Sequence, residues 1–534
     1  MRDRTIFVNG RVFTANAARS WARAVAVEGD RIVAVGDEAE VAPYVAEAEV
    51  VDLEGRLLTP GFTDAHVHPH HGGAKLLGCN LLDAAGRDDA MAAVAAYVAA
   101  HPEVPWIQGG GWSQDWFERA CPSASDLDQM AGERPVFLVN RDGHGAWVNT
   151  AALEAAGITA STPDPDDGRI ERREDGSPQG TLHEGAMDLV RQVMPAETDA
   201  DVEAALRRGQ DHLLGLGITG WMDAWVDESL HRAYRRLAEG GDLRGSVVAA
   251  LWWDRSLGLE QLERLEEWRT ESSDGYRSTA VKLMLDGVVE NFTAAMLEPY
   301  EQVGGTGIDM IDPVLLKEAV TALDAGGFQC HFHAVGDGAV RNALDAVEAA
   351  RIANGWSGLR HSVSHLQVVH PNDVPRFHRL GVAANIQPFW ACEDGYQEEL
   401  TQPFLGPARS AFQYPFASLV RSGAMLVGGS DWSVSTCDVM AQTHVAVNRV
   451  PLEDSPFPPL GPDERLDPVT TLAAFTAGSA WHNGDEAERG VVGIGNLADL
   501  VLFDHDPFPD RSFGSARVET VMAGGRWVSG KEVW

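Results

Sequence analysis

The chain has 534 residues, 44% of them hydrophobic and 23% charged, which is a globular composition and too long for one ordinary compact domain. Its formal net charge of −37 argues against nucleic acid and anionic membranes as partners, because so acidic a surface repels polyanions. The start lacks a signal-like apolar segment, and no later stretch is apolar enough to span a membrane, so we expect a cytoplasmic protein.

Short alternating β segments stand at both ends of the chain. The first are TIFVNGRVFTAN and AVAVEGDRIVAVGD, with turn signals such as Asn9-Gly10, and the last fifty residues repeat the pattern in NLADLVLFD and VETVMAGGRWVSG. Neither segment can enclose a core alone. We therefore predict that residues 1–56 and 485–534 pair into one small composite β-sandwich, with a large domain of residues 57–484 inserted between them.

Eight apolar segments between these ends are predicted to be buried strands. Most are separated by segments of helical periodicity, such as VLLKEAVTALDAGG, and this alternation is typical of a parallel sheet. Eight units predict an α/β fold of the (β/α)8 TIM-barrel type, whereas the GxGxxG motif of the competing doubly wound sheet is missing. The predicted strands are 57–68, 217–225, 245–253, 279–287, 328–337, 361–369, 381–390 and 424–432.

The connection after the first predicted barrel strand, residues 69 to about 205, is too long for a loop. It contains a strand of its own, PVFLVNRD. We predict an inserted subdomain that covers part of the barrel mouth.

Candidate metal ligands recur along the predicted strands. In PGFTDAHVHP, residues 60–69, His66 and His68 face the same side of a strand and could bind one cation, although an HxH pattern alone fits two polar residues at a strand end equally well. Similar residue types lie near the C-terminal ends of five of the eight strands, which converge at one mouth of a barrel. Imidazoles with a carboxylate are ligands of zinc and similar metals, so the pattern predicts a metal centre. The candidates are His66, His68, Lys282, His331, His333, His365 and Asp431.

Lys282, in VKLMLDG, has two interpretations. A buried lysine needs a partner, and a salt bridge to Asp286 or Asp223 would supply one. Beside metal ions, a neutral lysine could instead react with carbon dioxide and form a carbamate that bridges two ions. The residues alone leave both alternatives open.

Several strings together resemble the amidohydrolase superfamily, and specifically amidohydrolase family 3, which includes N-substituted formamide deformylases. They are PGFTDAHVHP, VKLMLDG, HFHAVGD, SHLQ and GGSDWSV, joined in the insertion by GGGWSQDWF, RPVFLVNRDGHGAWVNTAAL and GSPQGTLHEGA. The motifs occur in the same order and cover nearly the whole chain. One departure is that the lysine strand continues into DGVVEN rather than DGS, so the floor of the pocket can differ.

The resemblance implies two divalent metal ions, expected to be zinc. It implies that His66, His68 and Asp431 bind one ion, that His333 and His365 bind the other, and that carboxylated Lys282 bridges them. Asp431 would also be the general base. His333 is chosen over His331 because it heads the family-like HAVGD string and lies nearer the end of its strand.

The implied activity is hydrolysis of an amide-type C–N bond, in an N-acyl or N-formyl amine, by a hydroxide that bridges the metals. His144, in RDGHGAWVN, is a candidate for catalysis and substrate contact, with structural capping as the alternative. Trp112 and Trp432 are candidate substrate contacts, and Trp116, Trp147 and Trp390 are also expected near the mouth. Trp112 is also a candidate oxyanion donor.

Two other classes of function remain. A single-metal deaminase or cyclic-amide hydrolase on the same barrel would bind one ion and need no modified lysine, and a non-catalytic barrel that binds a small molecule would need no metal. Counting metals separates them. The expected partner is a small-molecule substrate, and a homo-oligomer is compatible with the sequence.

Overall fold

The computed structural model describes residues 4–452 and 455–529, whose strands form four sheets. The N-terminal strands are β1 (Arg4–Val8), β2 (Arg11–Phe13), β3 (Trp21–Ala22), β4 (Ala24–Glu28), β5 (Arg31–Gly36), β6 (Glu49–Asp52) and β7 (Leu57–Pro60). They are followed by β8 (Phe62–Val67) and by the strands of the insertion, β9 (Cys79–Asn80), β10 (Ile107–Trp112), β11 (Val136–Asn140), β12 (Gly145–Val148), β13 (Gly168–Arg172) and β14 (Pro178–Glu184).

Eight parallel strands form the central sheet, in the order β21-β20-β19-β18-β17-β16-β15-β8. The seven after the insertion are β15 (Ile218–Val226), β16 (Ser246–Trp252), β17 (Tyr276–Met284), β18 (Gln329–Ala334), β19 (Ser362–His365), β20 (Ala383–Ile386) and β21 (Leu426–Gly428). Neighbours in the sheet are neighbours in the chain, as in a (β/α)8 barrel. The predicted barrel is thereby confirmed.

The barrel is nearly closed where its last strand meets its first. Just past β21, the Asp431 amide donates to the His66 carbonyl (2.7 Å), and the His68 amide donates to the Trp432 carbonyl (2.7 Å). Buried Asp64 adds a side-chain link, because its Oδ1 accepts from the amides of both His66 and Ser430, each at 3.0 Å. First and last strands therefore meet at the residues predicted to bind metal.

Helices of the insertion and barrel follow in chain order. Short α1 (Glu38–Val41) precedes them. The insertion region contains α2 (Pro69–Leu77), α3 (Arg87–Ala100), α4 (Ala124–Ala131), α5 (Thr150–Ala155), α6 (Asp188–Arg191) and α7 (Asp199–Gly215). The remaining helices are α8 (Glu228–Glu239), α9 (Leu262–Thr270), α10 (Pro313–Ala325), α11 (Asp337–Asn354), α12 (Val374–Leu380), α13 (Gln402–Ser410), α14 (Phe416–Arg421), α15 (Val439–Asn448), α16 (Pro468–Ala473) and α17 (Ser479–Asn483).

Both ends of the chain contribute to one pair of terminal sheets. The C-terminal strands are β22 (Leu500–Phe503), β23 (Val518–Ala523) and β24 (Arg526–Ser529), and the six-stranded sheet runs β24-β23-β22-β7-β2-β3. Strand β22 pairs antiparallel with β7, with Val501 opposite Thr59. A four-stranded sheet, β5-β4-β1-β6, shares an apolar core with it that includes Phe7, Leu58 and Leu500. The predicted composite of the two termini is confirmed.

The first predicted barrel strand, 57–68, is two strands. Residues Leu57–Pro60 belong to the terminal sheet, and only Phe62–Val67 belong to the barrel. Gly61 lies between them, where a Cβ atom would come within 2.5 Å of the Thr219 hydroxyl oxygen. A continuous apolar pattern conceals this division, because both strands are buried on both faces.

The insertion between β8 and β15 has its own six-stranded sheet, in the order β13-β14-β12-β11-β10-β9. The predicted strand PVFLVNRD corresponds to β11, Val136–Asn140. Two apolar clusters lie within the insertion, one around Trp112 and Trp147 and one around Leu182. Within the described ranges 4–452 and 455–529, no helix combines the length and apolar character that crossing a bilayer requires.

Candidate metal centre and substrate cavity

Three of the predicted ligands surround one position at the C-terminal ends of the barrel strands. His66, His365 and Asp431 are buried, and each offers a ligand atom within 4.8 Å of the other two. Asp431 Oδ1 lies 3.4 Å from His66 Nε2 and 3.1 Å from His68 Nε2, and Asp431 Oδ2 lies 3.8 Å from His365 Nδ1. The structure thus gathers the β8, β19 and post-β21 ligands around one carboxylate.

The backbone at two of these positions is unusual. Asp431 has φ 56° and His365 has φ 76°, both in the left-handed region that residues other than glycine seldom adopt. Each residue lies at or just beyond the end of its strand, where the chain turns away from the barrel wall. Such backbone is typical of functional sites, where surrounding structure compensates the strain.

His333 and His331 occupy different places although both are on β18. The His333 ring centroid is 4.2 Å from that of His365, and its Nε2 lies 3.2 Å from the Gly287 carbonyl oxygen. Because a carbonyl oxygen can only accept, the ring proton is on Nε2, and Nδ1 is unprotonated with a free lone pair. His331 instead has its Nε2 2.8 Å from His66 Nδ1. His333, not His331, lines the substrate cavity.

The side chains fit a divalent metal. Burial lowers the pKa values of His66, His333 and His365 well below the usual histidine value, so these imidazoles are neutral. Burial opposes ionisation of Asp431, but the close approach of His68 keeps the pKa of Asp431 low. Within the described ranges, the buried atoms that lack any hydrogen-bond partner include His66 Nε2, both ring nitrogens of His365, and Asp431 Oδ1. Such orphaned atoms are costly unless an ion satisfies them.

Lys282 is buried in β17, with 2% of its surface exposed, in register with His331 of β18. Burial lowers the pKa of Lys282 to about 8, against the opposing influence of Asp431. No carboxylate in residues 4–452 and 455–529 lies within 4.0 Å of its amine. The structure therefore does not support the salt-bridge interpretation.

Asp286 and Asp223, the two carboxylates that the sequence offers as salt-bridge partners of Lys282, have other partners. Asp286 accepts hydrogen bonds from the backbone amides of Ala295, Val335 and Gly336, at 2.8–3.0 Å. Asp223 accepts from the Tyr234 hydroxyl at 2.8 Å. These bonds tie loops and a helix to the barrel.

His144 reaches the site from the insertion. Its Nδ1 lies 3.0 Å from each carboxylate oxygen of Glu184, and its ring centroid is 5.6 Å from that of His333. Burial disfavours a charged imidazole, but Glu184 outweighs burial and raises the pKa of His144 to about 9. Glu184 also accepts from the Thr293 hydroxyl at 3.0 Å.

A cavity of about 540 Å³ opens onto the cluster, a size suited to a small molecule. His144, His333, His365, Asp431 and Trp432 line it, together with Trp116 and Trp390. The Trp432 ring stacks on His212 at 4.6 Å between centroids. The structure thus brings the predicted Trp432 and His144 to the cavity.

Trp112 is not placed as predicted. It is fully buried within the insertion, and its Nε1 donates to the Leu138 carbonyl at 2.8 Å. Trp147 is also buried there, with its Nε1 donating to the Ser123 carbonyl. Neither residue lines the cavity, so the prediction that Trp112 contacts substrate or donates to an oxyanion is corrected.

Two residues near the site were not among the sequence candidates. Glu184 is in GTLHEGA and pairs with His144, and Glu290 is in DGVVEN and lines the cavity. The sequence does contain a signal for Glu290, because the lysine strand continues into DGVVEN rather than DGS. Glu184 had no such signal, because its partner His144 is forty residues away, in the loop before another strand.

A parallel barrel that gathers buried, neutral imidazoles and a carboxylate at the C-terminal ends of its strands defines a metal-dependent hydrolase. The family model described as "Amidohydrolase family" matches residues 49–529. The chain therefore belongs to the amidohydrolase family, and it is a hydrolase that acts on C–N bonds. This confirms the predicted family and enzyme class.

Similar proteins span almost the whole chain. Protein LONG AFTER FAR-RED 3 of Arabidopsis thaliana is 29% identical over 541 residues, covering 98% of this chain and 91% of that protein. The N-substituted formamide deformylase of Arthrobacter pascens is 28% identical over 523 residues, covering 95% and 94%. Among solved structures, an uncharacterized metal-dependent hydrolase from Pyrococcus furiosus has a TM-score of 0.71 and 25% identity, covering 94% of this chain and 99% of that one.

Proposed function

We propose that this protein hydrolyses the amide bond of a small N-acyl or N-formyl amine, using two divalent metal ions that we expect to be zinc. The observation that carries the proposal is the set of buried, partnerless ligand atoms on His66, His365 and Asp431 at the base of a cavity of small-molecule size. The similarity to an N-substituted formamide deformylase favours the N-formyl class.

The residues divide into two groups around the proposed ions. His66, His68 and Asp431 would bind one, and His333 and His365 the other. When bound, such ions lower the pKa of water and polarise an acyl oxygen. Ser364 Oγ and His331 Nε2 lie 2.9 and 2.8 Å from His66 Nδ1, so they orient the His66 ring with its Nε2 toward Asp431.

Asp431 is the proposed general base. Its low pKa keeps it ionised at neutral pH, ready to accept a proton from the attacking water. A C–O bond forms at the acyl carbon, the C–N bond breaks, and the proton on Asp431 passes to the departing nitrogen. The products are a carboxylic acid and an amine.

His144 is the proposed donor to the acyl oxygen. Its Nδ1 faces Glu184, which leaves Nε2 for the substrate, and the Glu184 carboxylate keeps the imidazole positively charged. A charged donor in a water-poor cavity stabilises the negative charge that develops on that oxygen. This role favours catalysis over the capping alternative for His144.

We propose that Lys282 is carboxylated. Its amine adds to carbon dioxide, a N–C bond forms and one proton is released, giving an anionic carbamate. Burial without a carboxylate partner supports the proposal, since it lowers the pKa of Lys282 to about 8 and so favours the reactive neutral amine. The carbamate would add negative charge to the pair of metal sites.

The decisive experiment is hydrolysis of a panel of N-formyl, N-acyl, cyclic amide, carbamate and ester substrates by protein of measured metal content. We expect cleavage of N-formyl or N-acyl amines that is abolished by chelation and restored by zinc or manganese. Full turnover by metal-free protein, or cleavage confined to esters, would contradict the proposal.

A single-metal hydrolase of a cyclic amide, or a deaminase, is the second candidate. It is favoured by one observation: the group of ligand atoms on His66, His365 and Asp431 surrounds one position only. One metal per chain in fully active protein, with cyclic amides or amino-heterocycles as the substrates of that panel, would establish this candidate.

A further inference from the structure

The cavity has an excess of carboxylates away from the metal ligands. Among its lining residues in the described part of the chain, Arg141 is the one arginine or lysine, against five carboxylates outside the proposed ligand set. These are Asp83, Asp115, Asp142, Glu290 and Asp394. His144 does not alter this balance, because its charge is matched by Glu184.

Asp142, Glu290 and Asp394 form what we define as the carboxylate wall. All three are half-buried, and their contacts come from neutral groups: the Tyr396 hydroxyl donates to Asp142 (3.2 Å), and the Thr401 hydroxyl donates to Glu290 (2.6 Å). Asp394 accepts from the Gln397 amide at 2.8 Å. None of the three forms an ion pair with Lys or Arg within the described ranges. The direct hydrogen bonds to the wall thus come from neutral donors, which do not cancel its negative charge by contact.

Arg141 attracts Asp142 without direct contact, and within the described ranges it forms no ion pair with the wall. Arg141 donates to the Leu82 carbonyl at 3.3 Å and lies 5.6 Å from the Trp116 ring centroid. Burial and the neighbouring Asp142 raise the pKa of Glu290 to about 7, opposed by the Thr401 hydrogen bond. A cation in the cavity would relieve this repulsion.

Gln114 gives a second, independent indication of a ligand with N–H donors. Asn291 Nδ2 donates to the His144 carbonyl (3.4 Å), which turns Asn291 Oδ1 toward Gln114 Nε2 at 3.3 Å. Gln114 Oε1 is then an acceptor without a donor among the described residues, although Gln114 lines the cavity and is only 1% exposed. A buried acceptor of this kind requires a donor.

We propose, building on the proposed function, that the amide substrate carries a protonated amino group, bound by the carboxylate wall while the amide lies at the metal centre. Tyr396 lines the cavity beside the wall, and its aromatic ring suits the methylene groups next to an ammonium. Glu290 enters the cavity through DGVVEN, so this chain's own departure at that string contributes to the preference.

The test compares a charged substrate with its neutral isostere. N-(3-aminopropyl), N-(4-aminobutyl) and N-(5-aminopentyl)formamide are paired with N-butyl, N-pentyl and N-hexylformamide, which replace the ammonium with a methyl group. For at least one length, the metal-loaded enzyme should show a kcat/KM about tenfold higher, or more, for the ammonium compound. Sodium chloride at 0.5 M should reduce that ratio.

Variants of the carboxylate wall test whether it causes the preference for the ammonium compounds. Glu290→Gln and Asp394→Asn should each reduce the charged-to-neutral ratio several-fold. Glu393→Gln is the matched control, because Glu393 adjoins Asp394 but binds Gln402 and does not line the cavity. It should leave the ratio unchanged. Ratios near one at all three lengths, or ratios that both wall variants leave intact, would overturn the proposal.

The outcome is separable from that of the proposed function. If no formamide is cleaved, the N-formyl activity has failed, and the same compounds then serve as ligands for calorimetric titration of the intact enzyme. Tighter binding of the ammonium compounds, weakened by Glu290→Gln, would still support the cation site. Equal or absent binding would overturn it.

Discussion

Glu184 presents both carboxylate oxygens, each at 3.0 Å, to Nδ1 of His144, and this pair of insertion residues lies beside His333 of the barrel. The contact links β14 to the loop before β12, and both strands belong to the insertion sheet. The proposed substrate contact of His144 therefore depends on a residue that does not line the cavity.

Glu184→Gln should remove the charge that stabilises protonated His144. The pKa of His144 is about 9 and should fall, because burial then dominates. Charged His144 is present below its pKa and lost above it, so the alkaline limb of the kcat/KM profile should move to lower pH. We expect kcat at neutral pH to drop by roughly tenfold or more. Glu171→Gln is the control, since Glu171 pairs with His183 (3.2 Å) away from the cavity. An unmoved limb in Glu184→Gln would exclude His144 as the charged donor.

Asp431→Asn should lower kcat by at least roughly 10²-fold, which is the usual contribution of a positioned general base. The amide is isosteric, so circular dichroism and thermal unfolding should change little. Asp438→Asn is a suitable control, because Asp438 caps α15 and asparagine caps helices equally well. A normal rate in Asp431→Asn would assign the base to another residue.

Lys282→Ala should lose metal and activity together if the lysine is carboxylated. The native protein should show about 44 Da of extra mass, and acetate or propionate should restore part of the activity to the variant. Lys75→Ala controls for loss of a buried lysine, since the pKa of Lys75 is also lowered to about 8 by burial. Metal retained in Lys282→Ala, with no rescue by carboxylates, would leave Lys282 a structural residue.

Deleting the first fifty residues should destabilise the whole protein, because β7 and β22 then lose the opposing sheet that covers their core. A milder test is Leu500→Ala, which should cost about 2–5 kcal/mol of unfolding free energy. Val50→Ala, on an exposed position of β6, should cost little. Unchanged melting of the truncated protein would refute a shared core.

Asp324→Asn, in helix α10, should lower the free energy of unfolding. Burial alone would raise the pKa of Asp324, but hydrogen bonds from His361, Ser357 and Asn354 lower it below the usual 3.8. Asp324 also pairs with Arg351 at 3.0 Å. A lowered carboxyl pKa adds stability above pH 3.8 that is lost as pH falls through the folded-state value.

The expected loss for Asp324→Asn is about 3 kcal/mol at pH 7, typical of a broken buried pair. In denaturant titrations, the difference in unfolding free energy between the variant and the wild type should become smaller below pH 3.8. Asp345→Asn removes a half-buried partner of Arg376, which keeps its ion pairs with Glu348 and Asp373, and should have little effect. A difference in unfolding free energy that stays constant down to pH 3 would contradict a lowered pKa of Asp324.

The barrel and its metal candidates were predictable because both depend on local patterns. Each strand is a short apolar run, and the ligands sit within or just after those runs, where periodicity and the barrel rule place them together. The predicted strands 361–369 and 424–432 overran the observed β19 and β21. Strand β19 ends at His365, whose backbone is left-handed, and β21 ends three residues before Asp431, whose backbone is left-handed too. No sequence pattern predicts these backbone conformations.

Contacts between distant segments were not predictable. In the sequence, Trp112 is indistinguishable from a tryptophan that lines the cavity. In the structure, its hydrogen bond to the Leu138 carbonyl holds its ring within the core of the insertion. Glu184 finds His144 only through the pairing of β12 with β14. The division of 57–68 likewise depends on β22, almost at the other end of the chain.

Asp64 Oδ1 accepts hydrogen bonds from the amides of both His66 and Ser430, so the proposed ligands His66 and Asp431 meet only where the first barrel strand meets the residues after the last. During synthesis, a ribosome must release β21 before these two ligands can meet. A nascent chain that ends before β21 therefore lacks the complete proposed site, and metal binding at that site would indicate that the barrel has closed. Late, long-range closure of this kind is slow, which gives the partly made chain a long interval as a client for chaperones.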